Sequence, residues 1–203
     1  MPLKSLPLLL SALVLTLPAC SPYTNIPAVD GDLASSNPNT KPVRGVAVAS
    51  IQKALESEPL NGPYTVLMPP RTTPETYALV VYALGNDALI PTNVPALQID
   101  DKGKVVKTDQ EFEPVATPLA ADAFPAVEVR AVYIRGADAK VDIVRPSTSG
   151  RRLSTVDLVW EAGFGWSAVS IRAWRVDPDA LPTPGNSDTP PAESSLSSET
   201  TGA

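Results

Sequence analysis

The chain has 203 residues, with 16 basic and 22 acidic side chains and a formal net charge of −6. This acidic balance indicates no nucleic-acid partner, because proteins that bind nucleic acids carry a basic surface. The sequence contains no histidine and a single cysteine. It therefore lacks the commonest general base and the commonest zinc ligand and cannot form an internal disulfide, so we expect no metal and no cofactor.

The first 20 residues have the composition of a secretory signal that ends at a cysteine. Lys4 supplies the basic start, residues 6–17 form an apolar run, and Pro18-Ala19 lead to Cys20. The run is too short for a transmembrane helix, which needs about 20 apolar residues. The sequence Leu17-Pro18-Ala19-Cys20 resembles the lipobox of bacterial lipoproteins, with Pro18 where Ser, Ala or Thr is more common.

The lipoprotein resemblance implies that residues 1–19 are a signal peptide and that the thiol of Cys20 is acylated, with palmitate among the expected acyl groups. A thiolate is a strong nucleophile suited to this transfer, and two or more acyl chains hold a protein stably on a bilayer. The implied partner is the membrane, and the implied location is the cell envelope. In bacteria with two membranes, Ser21 is a residue that permits export to the outer membrane. The alternative is an ordinary signal peptide with a chance cysteine.

Composition divides the rest of the chain into three parts. Residues 20–42 contain Cys20 and a stretch rich in Pro, Ser, Asn and Thr, which predicts a flexible tether. Residues 43–177 hold the apolar periodicity and predict a single folded domain. Residues 178–203 are rich in Pro, Ser, Thr and acids, which predicts a disordered tail.

The first half of the predicted domain contains two helices separated by a strand. Apolar residues at three-four spacing predict a helix over 43–58, and residues 64–68 predict a short buried strand. A second helix is predicted from Pro74 to about Leu84, with Thr73 as its N-cap and Gly85 as its C-cap.

Residues 86–125 give a weaker pattern, interrupted by prolines and acids. Short strands are possible at Leu89-Ile90, 96–99 and 105–106, with a hairpin turn at 100–103 between the last two. The remainder is predicted as a long loop, which is typical of a functional or poorly ordered insertion.

The second half of the domain alternates apolar and polar residues over four segments with short connections, at 126–135, 139–144, 153–160 and 166–176. This alternation predicts an antiparallel meander. The fold class is therefore α+β, with two N-terminal helices packed on a mainly antiparallel meander sheet. The order of elements resembles that of NTF2-like and cystatin-like folds, and this resemblance implies a curved sheet that can enclose a pocket with its helices.

Candidate site residues are three acids and three tryptophans in the predicted strands: Glu128, Asp142, Asp157, Trp160, Trp166 and Trp174. Without histidine, only an acid could serve as a catalytic base, but alternation favours a solvated face for Asp142 and Asp157. The tryptophans are expected either in the core or in a platform for a sugar or protein. Trp166 and Trp174 share the same parity, which predicts that they line one surface. The surrounding arginines are interpreted as partners of the acids.

No motif in the sequence indicates a particular reaction. We therefore expect a lipid-anchored envelope protein with a non-catalytic binding or scaffolding domain, whose partner is an envelope protein or a glycan. The alternatives are a small-ligand pocket of NTF2-like shape and a histidine-free hydrolase or isomerase that uses Asp or Glu.

Overall fold

The computed structural model describes residues 23–29, 31, 33–106 and 124–181. The predicted signal peptide, the predicted lipidation site Cys20, Ser21 and the distal part of the predicted tail fall outside these residues.

The described part of the chain forms a mixed seven-stranded sheet and two α-helices, which confirms the predicted α+β class. In chain order the elements are β1 (Tyr23–Ile26), α1 (Lys41–Ser57), β2 (Tyr64–Leu67), α2 (Pro74–Leu84), β3 (Ala88–Leu89), β4 (Ala126–Arg135), β5 (Asp138–Ser147), β6 (Gly150–Glu161) and β7 (Gly165–Ala173), followed by a 3-10 turn at Pro178–Ala180.

The sheet has the order β3-β2-β4-β5-β6-β7, and β1 pairs with β4 beside this path. Strands β4 to β7 form the predicted antiparallel meander. Strand β2 runs parallel to both β3 and β4, which makes the sheet mixed. Helix α1 contacts strands β4 to β7, and its residues Val46 and Ile51 are fully buried in one core with Val66, Val80 and Val141.

Both helices lie close to their predicted bounds. Helix α2 begins and ends at the predicted residues because local signals define both ends. The side chain of Thr73 accepts a hydrogen bond from the backbone N–H of Thr76, Pro74 occupies the first turn, and Gly85 ends the helix with a φ of 99° that favours glycine.

The prediction that residues 20–42 form a flexible tether is wrong for Tyr23–Ile26. This segment is strand β1, antiparallel to residues 132–135 of β4, and Ile26 is buried in the core. Within β4, only residues 126–128 pair with β2, which leaves the second half of that β4 edge available. Strand β1 therefore satisfies backbone groups that would otherwise be unpaired.

Two other predictions need correction. The segments 96–99 and 105–106 are not strands: they make only an isolated bridge between Ile99 and Val105 around the predicted turn, where Asp100 accepts hydrogen bonds from the backbone of Lys102 and Lys104. The predicted tail begins with a docked segment, because Pro178 is buried in a 3-10 turn that contacts β6.

Side-chain hydrogen bonds hold that docked segment on the sheet. The guanidinium of Arg130 donates to the carbonyl oxygens of Pro178 (2.6 Å) and Leu181 (2.9 Å), and Arg151 pairs with Asp179. These partners lie about 28 to 51 residues apart in sequence, so local composition gave no sign of the docking.

Candidate functional site

A concave site lies between the N-terminal part of α1, helix α2 and the β6–β7 hairpin. It is an open cleft of about 750 Å³, within the size range of small-ligand sites. Its walls are mostly apolar and include Val48 and Ala49 of α1 and Leu79 of α2. Lys41 and Arg44 supply its positive charge, and none of the described residues that line it is acidic.

Two tryptophans form one side of this cleft. Trp160 and Trp166 are directly opposite each other in the β6–β7 register, which brings their rings into edge-to-face contact with centroids 5.6 Å apart and planes at 68°. Trp166 packs against the core, whereas Trp160 is 49% exposed. The pair thus presents a large apolar surface whose outer half is open to solvent or to a ligand.

Gly45 of α1 makes room for Trp166. A Cβ atom at this position would lie 2.8 Å from Cδ1 of Trp166, closer than real Cβ contacts. The glycine therefore allows the helix backbone to lie directly against the indole ring. In the sequence, Gly45 reads only as a weak helix position, because the residue it contacts is 121 positions away.

The three candidate acids lie on the opposite, outer face of the sheet and line no part of the cleft. Glu128 pairs with Arg151 at 2.6 Å, Asp142 accepts a hydrogen bond from the hydroxyl of Thr155, and Asp157 accepts one from Ser170 at 2.7 Å. The structure therefore brings the acids together with polar side chains on the outer face and separates them from the Trp160–Trp166 pair.

Trp174 also lies on the outer face, so the prediction that it lines one surface with Trp166 is wrong. A bulge opposite Asp157-Leu158 leaves Val169 unpaired and reverses the alternation along β7. The indole N–H of Trp174 donates to the Thr155 hydroxyl at 2.8 Å, and the guanidinium of Arg172 lies 4.2 Å from its ring centroid. Trp174 is thus part of a polar outer-face network and not of the cleft.

Sequence reasoning missed the buried ion pair of Arg145. This side chain is 4% exposed and donates both to the Glu58 carboxylate at 2.6 Å and to the Glu58 backbone oxygen at 3.2 Å. It thereby satisfies a carbonyl at the C-terminus of α1, where a positive charge is favourable. The sequence does carry a signal of this burial. Arg145 alternates in phase with Ala139, Val141 and Ile143, so strand alternation places all four side chains on the same face.

Burial raises the pKa of three tyrosine phenols, Tyr64, Tyr77 and Tyr133. For Tyr133 the nearby Asp142 carboxylate adds to the effect. Because the pKa of each phenol lies above its usual value near 10, these side chains stay neutral at physiological pH. Tyr77 serves a structural purpose, since its hydroxyl oxygen accepts a hydrogen bond from the buried N–H of Met68 at 3.1 Å.

Comparison of the chain with protein-family models, with curated proteins and with solved structures gives no significant match. Within the described ranges, no group of three or more His, Cys, Asp or Glu side chains is placed to hold a metal ion. Neither described α-helix is long and apolar enough to cross a membrane.

Proposed function

We propose that this chain is a lipid-anchored protein of the cell envelope, held by acylated Cys20, whose domain binds a partner through the Trp160–Trp166 cleft and does not catalyse a reaction. In this proposal the two N-terminal helices form a layer over the inner face of the meander sheet. Ser21 favours the outer membrane where the cell has one.

The observation that supports binding is the composition of the cleft. Its described lining combines the tryptophan pair with apolar helix residues and two cations, and contains no carboxylate. A general base or nucleophile of the aspartate or glutamate type would have to lie within hydrogen-bond reach of the reacting atoms. The three acids considered as catalytic candidates are instead engaged on the other face of the sheet.

A pocket enclosed between the sheet and helix α1, as the NTF2-like resemblance implies, is not part of the proposal. Fully buried side chains fill that space, among them Val46 and Ile51 of the helix and Val129, Val141 and Ile143 of the sheet. The cleft lies at the end of this core, beside the β6–β7 hairpin, and is open on one side.

Membrane fractionation of a Cys20→Ser variant tests the anchor. We expect the wild-type protein in the membrane fraction and the variant outside it, because Cys20 is the only acylation site that the sequence offers. A Cys20→Ser variant that remains with the membranes in the same amount as the wild type would show that the anchor is wrongly assigned.

Binding of an apolar fluorophore, N-phenyl-1-naphthylamine, tests the cleft. We expect saturable binding that weakens when Trp160 is replaced by Ala and stays unchanged for Trp174→Ala, because Trp160 lines the cleft and Trp174 does not. Trp160 and Trp174 are similarly exposed, at 49% and 41%, so the Trp174→Ala variant is a matched control for Trp160→Ala. Equal binding by both variants and the wild type would contradict a binding cleft at this position.

A further inference from the structure

The start of β1 fixes where a lipid on Cys20 would attach to the domain. Tyr23, the first residue of β1, pairs with Arg135, the last residue of β4. Cys20 precedes Tyr23 by three residues, and a chain of that length spans at most about 11 Å. The attachment point therefore lies close to the end of the sheet at which β4 turns into β5.

The cleft lies at this same end of the sheet. Because β4 to β7 form an antiparallel meander, the β4–β5 turn and the β6–β7 turn are at one end, and the β5–β6 turn is at the other. The backbone N–H of Trp160 donates to the carbonyl oxygen of Ala137 in the β4–β5 turn at 2.7 Å. Gly136 of that turn lines the cleft together with Trp160 and Trp166.

The exposed side chains at this end have the chemistry of a membrane–water boundary. Phe164 at the tip of the β6–β7 hairpin is 87% exposed and Trp160 is half exposed, and aromatic residues of this kind are favoured at the level of lipid headgroups. Lys41 and Arg44 line the cleft and form no ion pair within the described ranges. Such cations are attracted to anionic headgroups.

The acidic residues at this end of the sheet do not neutralise the positive charge of Lys41 and Arg44 inside the cleft. Asp138 and Glu161 lie in or beside the two turns and are exposed, but neither lines the cleft.

We infer that the cleft faces the membrane that holds the anchor and that its ligand is an anionic phospholipid. An acyl chain lies against Trp160, Trp166 and the apolar side chains of α1 and α2, and the headgroup phosphate meets Lys41 and Arg44. This inference rests on the proposed anchor at Cys20. It adds the orientation of the domain and the chemical class of the ligand.

Quenching of tryptophan fluorescence by brominated acyl chains tests the inference. Lipidated full-chain protein, purified from membranes, is reconstituted into phosphatidylglycerol vesicles with or without bromine on the acyl chains. We expect strong quenching of the wild type, partial loss of it in Trp160→Phe, which keeps Trp166 in the cleft, and no loss in Trp174→Phe. Trp174 is the internal control, because it follows β7 at its far end, roughly 25 Å from Trp166 by strand geometry.

A double variant, Trp160→Phe with Trp174→Phe, leaves Trp166 as the sole tryptophan. Because Trp166 is half-buried at the cleft wall, we expect the brominated lipid to quench its fluorescence only if an acyl chain enters the cleft. Circular dichroism of each variant checks that it is folded. The Lys41→Gln variant keeps all three tryptophans and therefore tests lipid binding without an aromatic substitution. We expect Lys41→Gln to reduce quenching in phosphatidylglycerol more than in phosphatidylcholine.

The three ways in which the experiment can fail are distinguishable. Protein that stays bound to the vesicles but shows no quenching of Trp160 or Trp166 overturns the inference and leaves the anchor intact. Quenching of Trp174 equal to that of Trp160 also overturns it, since the domain would then have no preferred orientation. If the full-chain protein purified from membranes does not bind vesicles at all, the anchor at Cys20 is contradicted. The proposed function and this inference, which both rest on that anchor, then fail together.

Discussion

Arg145 is the residue whose position is least expected from its type, since arginine is almost never fully buried unless it is paired. It lies on the inner face of β5, in line with apolar residues, and is neutralised by Glu58 at the end of α1. Arg152 on the neighbouring strand also approaches Glu58, at 3.4 Å, but is about one third exposed. One carboxylate thus connects helix α1 to two strands, with the buried arginine as its main partner.

Replacement of Arg145 by Ala should destabilise the domain far more than replacement of Arg152 by Ala. Loss of one partner of a buried ion pair costs about 3–5 kcal/mol, and partial exposure of Glu58 reduces this to about 2–3 kcal/mol. The exposed Arg152 should contribute less than about 1 kcal/mol. Urea unfolding of the two variants measures the difference, and equal effects would mean that the Arg145–Glu58 pair does not hold α1 on the sheet.

Gly45 gives a residue-level test in which the sign of the effect is unusual. An Ala in place of a helical Gly normally stabilises a protein by up to about 1 kcal/mol. Here we expect Gly45→Ala to destabilise it, because the new Cβ would lie 2.8 Å from the Trp166 ring. In a background with Trp166→Leu, the same change should become neutral or stabilising. Thermal unfolding of the four proteins checks this, and stabilisation by Gly45→Ala in the wild-type background would contradict the contact.

At the level of elements, strand β1 changes the interpretation of the N-terminal region. A four-residue strand between two prolines carries too little periodicity to be distinguished from a linker, and its pairing partner is more than 100 residues away in sequence. Its backbone is held on one side by β4 and on the other by residue Ser35, whose N–H and carbonyl oxygen bond to Tyr23 and Asn25. Residues 23–26 are therefore part of the folded domain.

The Ile26→Ala substitution tests whether β1 belongs to the domain. Ile26 is 4% exposed and belongs to the main core, so we expect a loss of about 2–4 kcal/mol in the free energy of unfolding. Val29, three residues later and 54% exposed, is the matched control, and Val29→Ala should have almost no effect. If Ile26→Ala changed the free energy of unfolding as little as Val29→Ala, residues 23–26 would be a tether and not part of the folded domain.

The elements that sequence reasoning located well are those with local signals. Helix α2 has an N-cap, a proline and a terminal glycine, and the meander has long alternating segments joined by short turns. The features that it missed depend on distant partners: β1 on β4, Gly45 on Trp166, and the Pro178 turn on Arg130. The side on which Trp174 lies was missed for a local reason, because a single bulged residue at Val169 reverses the alternation.

At the scale of the whole molecule, the sheet has two chemically different ends. One end carries the start of β1, the cleft, Trp160 and the exposed Phe164. The other carries the β5–β6 turn and the ion pairs of Glu58 with Arg145 and Arg152. A lipid on Cys20 would hold the first end within a short distance of the bilayer, because no long linker separates the cysteine from β1.

The single cysteine allows this orientation to be measured directly. Once Cys20 is acylated, a new cysteine at Phe164 or at Thr148 is the only free thiol in the chain, and each takes one fluorescent label. Both positions are exposed, and they lie at opposite ends of the 12-residue strand β6, roughly 35 Å apart along the strand. Energy transfer from each label to an acceptor dye in the bilayer then compares the distances of the two ends. We predict strong transfer from Phe164→Cys and weak transfer from Thr148→Cys, whereas equal transfer from the two positions would contradict a domain held with its cleft toward the membrane.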